Sequence, residues 1–530
     1  MGDDQAYITL MGRSGWAVVN SFHAVSIETE YRPVQIHLIH ESQYSDAVEP
    51  VVQGLEAIQS SYTTPSVSCI EVPDWDAHAA GRTALELVQT LREKGFEVAL
   101  DITGGRKALV TGSLLALREE PFRHVYYLAI ETTEGAAKPY LMIPKRIQRL
   151  FDIVANEVQS EKTSLEPKNA DTDLRLSRDC MMILLNQAYT RGEKIAVKAP
   201  LVGVDILELD LQEQKVVMKT DRSDYQKKSR AQEYEGSDHP SYSDLRRCMC
   251  YCGILEYENE SEFLDLLSND LSRTFDPNSR VRRSFLSLDS NMFYNGFPSK
   301  LEILEDRLKI PPKDVLCVTP NAVRTEVQKG IRRKYRKDAI RDAKNHYKSA
   351  YLGGLLDEFV GQNMLTTRMA KMARSQLSKF MSRASHMMAG DDEELPQDSE
   401  AVDPLIVGSL KRFAREHRVR VALVSADKNM YDFCDLVEDV YPLILRPPHD
   451  IPRTMAASDQ IFADLLVGLS LLYGIIELEG IGLLFGEYRG KQSEVYMNEV
   501  KIRVHNLHRA RILQERVGTC SKLKELNIDA

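Results

Sequence analysis

The chain has 530 residues, 43% of them hydrophobic and 28% charged, with a formal net charge of −10. That length holds roughly two to four domains with ample core. The acidic balance excludes a protein that coats nucleic acid over its whole surface, but leaves room for a local basic channel. No apolar run reaches the roughly 18 residues that a membrane span needs. The nearest, FADLLVGLSLLYGIIEL at 462–478, carries Asp464 and then turns to β-branched residues, so it reads as a core helix running into a strand. No basic-then-apolar leader opens the sequence, so no signal peptide is expected. The eight cysteines are scattered, which fits a reducing cytoplasm. Cys248, Cys250 and Cys252 form CxCxC, but zinc sites use CxxC units with a second pair nearby, so a helix carrying small buried thiols is expected.

Residues 7–150 alternate strand and helix. YITLMG, VQIHLIHE, SVSCIEV, FEVALDI and HVYYLAIE read as strands, and 47–61 and 77–94 read as helices, the second closed by Gly95. This rhythm predicts a parallel sheet with helices on both faces, a Rossmann-like domain. Residues 156–175 are polar and aperiodic and read as a linker. From 176 to 280 the pattern is mixed, with a helix at 179–192, strand material to 220, and SYSDLRRCMCYCGILEYE as helix into strand. FLSLDSNMF is a strand ending in an acid, RRKYRKDAIRDAKNHYK is strongly basic, and DDEELPQDSE is an acidic exposed loop. A helix at 403–416 precedes VRVALVSAD, a second strand ending in an acid. Then come a helix at 459–473 and a hairpin expected to turn near Arg489 and Gly490.

The most informative stretch is FEVALDITGGRK at 96–107. A buried strand breaks on two glycines into a helix start with Arg106 and Lys107 beside it, a setting that suits phosphate. Its spacing is neither the P-loop nor GxGxxG. In an open α/β sheet, ligands sit beyond the carboxyl ends of the strands. Gly12-Arg13-Ser14-Gly15 and Thr103–Lys107 both fall there.

The DxTGGxK element after a strand, with a Gly/Ser loop after the first strand, resembles the CARF (CRISPR-associated Rossmann-fold) sensor family, over residues 1–155. The resemblance implies binding of a cyclic oligoadenylate as allosteric activator across the two-fold axis of a homodimer. Gly12, Arg13 and Ser14 would line the pocket, and Thr103, Gly104, Gly105, Arg106 and Lys107 would hold phosphate and ribose. Asp101 is expected to tie down the turn, because a carboxylate facing phosphate would repel it.

Four carboxylates in the second half stand at element ends. Asp289 closes FLSLD, Glu326 lies early in a helix in VTPNAVRTEVQKG, Asp403 opens the helix DPLIVGSLKRF, and Asp427 ends VRVALVSAD. Strand-terminal acids of a parallel sheet converge at one edge, and four cannot stay charged together without a cation, which implies Mg²⁺ or Mn²⁺. Their order resembles the PIN-domain nucleases over 284–450. The resemblance implies that Asp289, Glu326, Asp403 and Asp427 are metal ligands and catalytic, with Asn291 and Asn429 supporting. Ser425 replaces the commoner Thr, and the segment between Glu326 and Asp403 is long for that family. Arg332, Arg333, Lys334, Arg336 and Lys337 are expected to grip nucleic acid, with Tyr335 and Tyr347 stacking on bases.

The expected architecture is therefore α/β and multidomain: a CARF sensor at 1–155, a mixed, possibly winged-helix-like middle domain at 176–280, a PIN-like nuclease domain at 284–450, and a C-terminal helix and β-hairpin extension of that domain at 451–530. The expected function is a cytoplasmic, cyclic-oligoadenylate-activated, metal-dependent endoribonuclease of type III CRISPR antiviral defence. It would cut single-stranded RNA, or DNA, without a membrane partner. Two rivals stand beside it. Arg341 and His346 match the RxxxxH of metal-independent HEPN ribonucleases, and Arg503 and His508 match the bare spacing. Alternatively, the chain is a ligand-responsive winged-helix DNA-binding regulator.

Overall fold

The computed structural model describes residues 4–59, 66–118, 122–132, 135–161, 169–234, 237–271, 282–329, 333–347, 349–390, 402–434 and 439–529. Arg332 and the acidic loop at 391–400 lie outside them. The chain divides into two compact units, Met1–Lys194 with Val504–Ala530, and Ile195–Arg503.

The first unit is built on β1 (Gln5–Met11), β2 (Gln35–Glu41), β3 (Val67–Val72), β4 (Glu97–Asp101), β5 (His124–Ile130), β6 (Gln148–Asp152) and β7 (Glu157–Gln159), in sheet order β3-β2-β1-β4-β5-β6-β7. β1 to β5 are parallel, and β6 and β7 run antiparallel at the edge. The near-continuous apolar strands are explained by helices on the sheet faces. The helices Ala77–Glu93 and Lys107–Ala116 approach through glycines: a Cβ on Gly112 would stand 2.0 Å from the carbonyl oxygen of Ala77. Chain order runs outward from β1 to β3, then returns to β4 on the other side of β1. The switch point, where the flanking loops diverge and leave a crevice, lies between β1 and β4.

The segment expected as a linker holds β7 and β8 (Asn169–Ser177). The last helix, Leu507–Glu525, belongs to this unit and not to an extension of the nuclease domain. Arg509 pairs with Glu193 at 2.7 Å, Arg516 with Glu161 at 2.6 Å and Lys524 with Asp179 at 2.5 Å.

The second unit begins with β9 (Ile195–Ala199), β10 (Val204–Asp210) and β11 (Lys215–Met218). It continues with β12 (Ser284–Leu288), β13 (Cys317–Pro320), β14 (His386–Ala389), β15 (Arg420–Ser425) and β16 (Val440–Ile444), and ends with β17 (Thr454–Ala456), β18 (Ile475–Leu478), β19 (Gly482–Phe485) and β20 (Glu499–Asn506). Two sheets result. One runs β17-β11-β10-β9-β18-β19-β20, so strands from either side of the 284–450 segment share one layer. The middle region is therefore not a free-standing winged helix. The hairpin of β18 and β19 turns at Gly480, where φ is +75°, ten residues before the expected turn. The long apolar helix Asp459–Tyr473 stops at Gly474, whose φ of +79° suits a residue without Cβ, and passes into β18 as expected. Cys248, Cys250 and Cys252 are buried at the end of the helix Tyr242–Tyr251. Among the described residues, no helix is long and apolar enough to cross a membrane.

The other sheet is parallel throughout, in order β14-β13-β12-β15-β16. Phe285, Leu286, Leu288, Leu423 and Val424 anchor its core with Phe413 from the helix Val402–His417. Here too chain order reverses beside the first strand, and the switch point lies between β12 and β15.

Candidate functional site

The four carboxylates meet at the carboxyl edge of the parallel sheet. Leu288 pairs with Val424 in register, so Asp289 and the Ser425–Asp427 turn leave adjacent strands side by side. Asp289 is only 3% exposed. Its Oδ1 accepts from the backbone N–H of Ser290 at 2.7 Å, and its Oδ2 accepts from Asn291 Nδ2 at 2.6 Å and Ser425 Oγ at 2.7 Å. Asn291 Oδ1 accepts from the Ala426 N–H at 3.0 Å, so this side chain clamps the two strand ends together. Ser425 Oγ also accepts from the Asp427 N–H at 2.9 Å, which fixes where that acid begins. Asn429 contributes its backbone N–H to Asp427 Oδ1 at 2.9 Å while its own side chain is exposed.

Glu326 reaches the site from the second turn of the helix Asn321–Lys329, and Asp403 from the first turn of Val402–His417. Burial raises the Asp289 carboxyl above its usual range, against the hydrogen bonds from Ser425 and Ser290, and Asp427 adds to the rise. Burial also raises Glu326, with Asp289 contributing and the Ser290 hydroxyl opposing. Asp403 is pushed up to about 6 by burial and then by Asp289, Asp427 and Glu326. Asp403 therefore lies within electrostatic reach of the other three acids. Among the described residues, no group of three or more His, Cys, Asp or Glu side chains is arranged to hold a metal ion as it stands. The four form an open rim of oxygen donors. In kind, that set fits a hard divalent cation, because unneutralised carboxylates in a partly desolvated edge favour a small ion with oxygen ligands.

A cavity of about 360 Å³ opens beside the rim, lined by Asn291, Asn295, Ala426 and Asp427 on one side and by Arg246 and Arg247 on the other. The arginines share with Ser243 and Cys250 one face of the helix Tyr242–Tyr251, at i, i+3, i+4 and i+7. That helix starts on a capping box between Ser241 and Asp244, which fixes its first turn. Arg246 donates to the carbonyl oxygen of His449 at 2.8 Å, and Arg247 stands 3.7 Å from Asp244.

In the first unit the two glycine loops touch. A Cβ on Gly12 would stand 2.8 Å from both the Gly104 carbonyl oxygen and Arg106 Cγ, and one on Gly104 would stand 2.6 Å from Val18. Asp101 is fully buried and collects Thr9 Oγ1 at 2.8 Å, Ser21 Oγ at 2.9 Å and both the N–H and hydroxyl of Thr103 at 3.0 and 2.6 Å. Thr103 Oγ1 also accepts from the Leu128 N–H at 2.9 Å, so this hydroxyl is turned inward and holds the loop; it does not face a ligand. Arg13 and Lys107 are exposed. Arg106 leans away from the loops, 3.4 Å from Glu41 Oε2, with its guanidinium carbon 3.4 Å from the Trp75 ring centroid. Ser14 Oγ and the Gly15 N–H, at the start of the helix Gly15–Glu28, donate at 2.7 and 2.5 Å to the carboxylate of Asp529.

No protein-family model matches the chain, and no curated protein matches it. Among the solved structures that it resembles, three give the measure of the likeness. Can2 from Sulfobacillus thermosulfidooxidans, in complex with cyclic tetra-adenylate, is 12% identical over 57% of this chain and 67% of its own, with a TM-score of 0.22. Protein VC1899 from Vibrio cholerae is 11% identical over 72% and 99%, with a TM-score of 0.24. Enterococcus italicus Csm6, bound to cyclic hexa-2′-fluoro-hexa-dAMP, is 12% identical over 79% and 99%, with a TM-score of 0.22. These superpositions are too loose to show a shared fold.

The basic run lies on the surface of the second unit. Arg333, Lys334, Arg336 and Lys337 are exposed, and Arg336 pairs with Asp338 at 3.0 Å. Tyr335 and Tyr347 are not base-stacking platforms. Tyr335 donates to Asp238 and packs on Phe359, and Tyr347 is buried with its hydroxyl on the Leu201 carbonyl oxygen. Arg341 and His346 lie on the helix Lys337–Tyr347, where five residues separate side chains by about 140°. They share no face, and Arg503 is committed to Glu358 at 3.2 Å. The sequence reading missed Arg246, Arg247 and the bridging Ser290. Their only sequence signal is a polar stripe on a short capped helix, far along the chain from the acids.

Proposed function

We propose that the second unit is a metal-dependent endonuclease and that the first is its sensor for an anionic nucleotide, in chemistry a cyclic oligoadenylate. The observation that carries the nuclease reading is the meeting of Asp289, Glu326, Asp403 and Asp427 at the switch point of a parallel sheet. Asp289, Glu326, Asp403 and Asp427 would hold Mg²⁺ or Mn²⁺, which would supply the charge that activates a water and stabilises a phosphate under attack. The chain's own groups set the stage. Ser425, Asn291 and the Ser290 N–H hold the Asp289 carboxylate in one orientation, as a site that must be preorganised requires. Burial, and then Asp289, Asp427 and Glu326, hold the Asp403 carboxyl up to about 6. Arg246 and Arg247 line the same cavity as Asp427, placed to take a phosphate of the strand beside the cut. Nothing in the placement of Arg341 and His346 favours the HEPN reading.

In the first unit, the touching loops at the β1–β4 switch point, with exposed Arg13 and Lys107, support an anion-binding role. Single-stranded RNA as substrate, pairing of two chains through this unit, and a place in type III CRISPR defence extend this reading by family resemblance. The test is cleavage of a labelled single-stranded RNA by the full chain with cyclic tetra- or hexa-adenylate, in Mn²⁺ or in EDTA. Ligand-dependent cutting lost in EDTA is expected. Cutting that survives EDTA would overturn the metal centre, and cutting indifferent to every ring would overturn the sensor.

A further inference from the structure

Trp75 stands where a buried aromatic would not. It is 69% exposed, at the carboxyl end of β3, three residues past its last residue. Its φ is +62°, a left-handed backbone that a bulky L residue adopts only when its surroundings force it. Those surroundings are specific. The Trp75 N–H donates to Glu41 Oε1 at 2.8 Å, and Glu41 is 2% exposed. The flanking Asp74 accepts from the Gln43 N–H at 2.9 Å, and Asp76 caps the helix Ala77–Glu93. Glu41 also holds Arg106, whose guanidinium lies against one face of the indole. Arg106 itself stands against Gly12, beside the Gly104 carbonyl, so the ring is joined to the anion-binding loops by a single residue.

An exposed indole backed on one face by a guanidinium leaves its other face open to a flat, electron-rich partner. We propose that Trp75 is the base-stacking platform of the ligand site, with one purine of the oligoadenylate on its open face and Arg106 serving as the brace behind it. This assignment rests on the reading of the first unit as a nucleotide sensor. It moves Arg106 from a phosphate contact to a positioning residue, and leaves Arg13 and Lys107 as the phosphate partners.

The chain has two tryptophans, and the other, Trp16, is buried at 8% exposure. Emission can therefore be followed while the full chain is titrated with cyclic tetra- and hexa-adenylate, alongside calorimetry of the same mixtures. The expected result is quenching that saturates with the calorimetric isotherm. Trp75→Ala should weaken binding by roughly tenfold, the scale of one lost base–aromatic stack. Trp75→Phe should bind within about threefold of the parent, since a ring remains, and lose the quench. Binding without quenching, or Trp75→Ala binding as tightly as the parent, would overturn the platform while leaving the sensor standing. Absence of heat and quench with either ring would overturn both.

Discussion

Replacing Asp403 with Asn should stabilise the metal-free protein while abolishing cleavage. The Asp403 carboxyl is raised from 3.8 to about 6, first by burial and then by Asp289, Asp427 and Glu326. Two units at 1.36 kcal/mol each make about 3 kcal/mol of cost for keeping it charged. Asp403 is only partly withdrawn from water, so screening reduces this to about 1–2 kcal/mol. Between about pH 4 and pH 6 the folded chain holds more proton on Asp403 than the unfolded chain does. Stability therefore falls as pH rises through that window and stays lower above it. Asp403→Asn removes the penalty, so in EDTA at pH 7.5 its Tm should exceed the parent's by about 1–3 °C. The two should converge near pH 4, and Mn²⁺ should raise the parent's Tm more than the variant's. The assay is thermal unfolding in EDTA across that pH range. An Asp403→Asn variant that melts at or below the parent at pH 7.5 would refute the idea that these acids strain one another.

Asp289→Ala or Asp427→Ala should remove cleavage by at least about a hundredfold, the scale of losing preorganised charge, with binding of cyclic oligoadenylate unchanged by calorimetry. Arg246→Ala with Arg247→Ala should raise KM and the RNA dissociation constant by about tenfold, and flatten the log–log salt slope by about one per arginine. An unchanged slope in fluorescence anisotropy would remove both arginines from the substrate path. Asp101→Asn deletes one acceptor from a fully buried carboxylate that takes four donors. It should cost about 1–3 kcal/mol in denaturant unfolding and weaken ligand binding through the loosened Thr103 turn.

Much of the first unit was legible because its strands are short apolar runs closed by glycine or by an acid and alternating with helices. The same local logic placed Asp289 and Asp427 just past strand ends: a carboxylate soon after an apolar strand marks the carboxyl edge of a parallel sheet. What escaped was non-local. β9 pairs with β18 across nearly three hundred residues, and no periodicity within 176–280 announces that partner. The turn at Gly480 was passed over for Gly490 because either glycine permits a turn and only the pairing of β18 with β19 decides. Thr103 was read as a ligand group because its position in the loop was visible while its three inward contacts were not. Arg246 and Arg247 carried no mark at all, since their relation to the acids exists only after folding.

The carboxylate of Asp529 accepts from the Ser14 hydroxyl and the Gly15 N–H, so on the sensor reading it would compete with an incoming anion for those donors. Any anion that takes those donors must first evict it, so the apparent affinity is the intrinsic one scaled by the fraction of time the tail is away. On that reading the carboxylate would set a threshold: faint traces of the anion would fail to displace it, and only a sustained rise would.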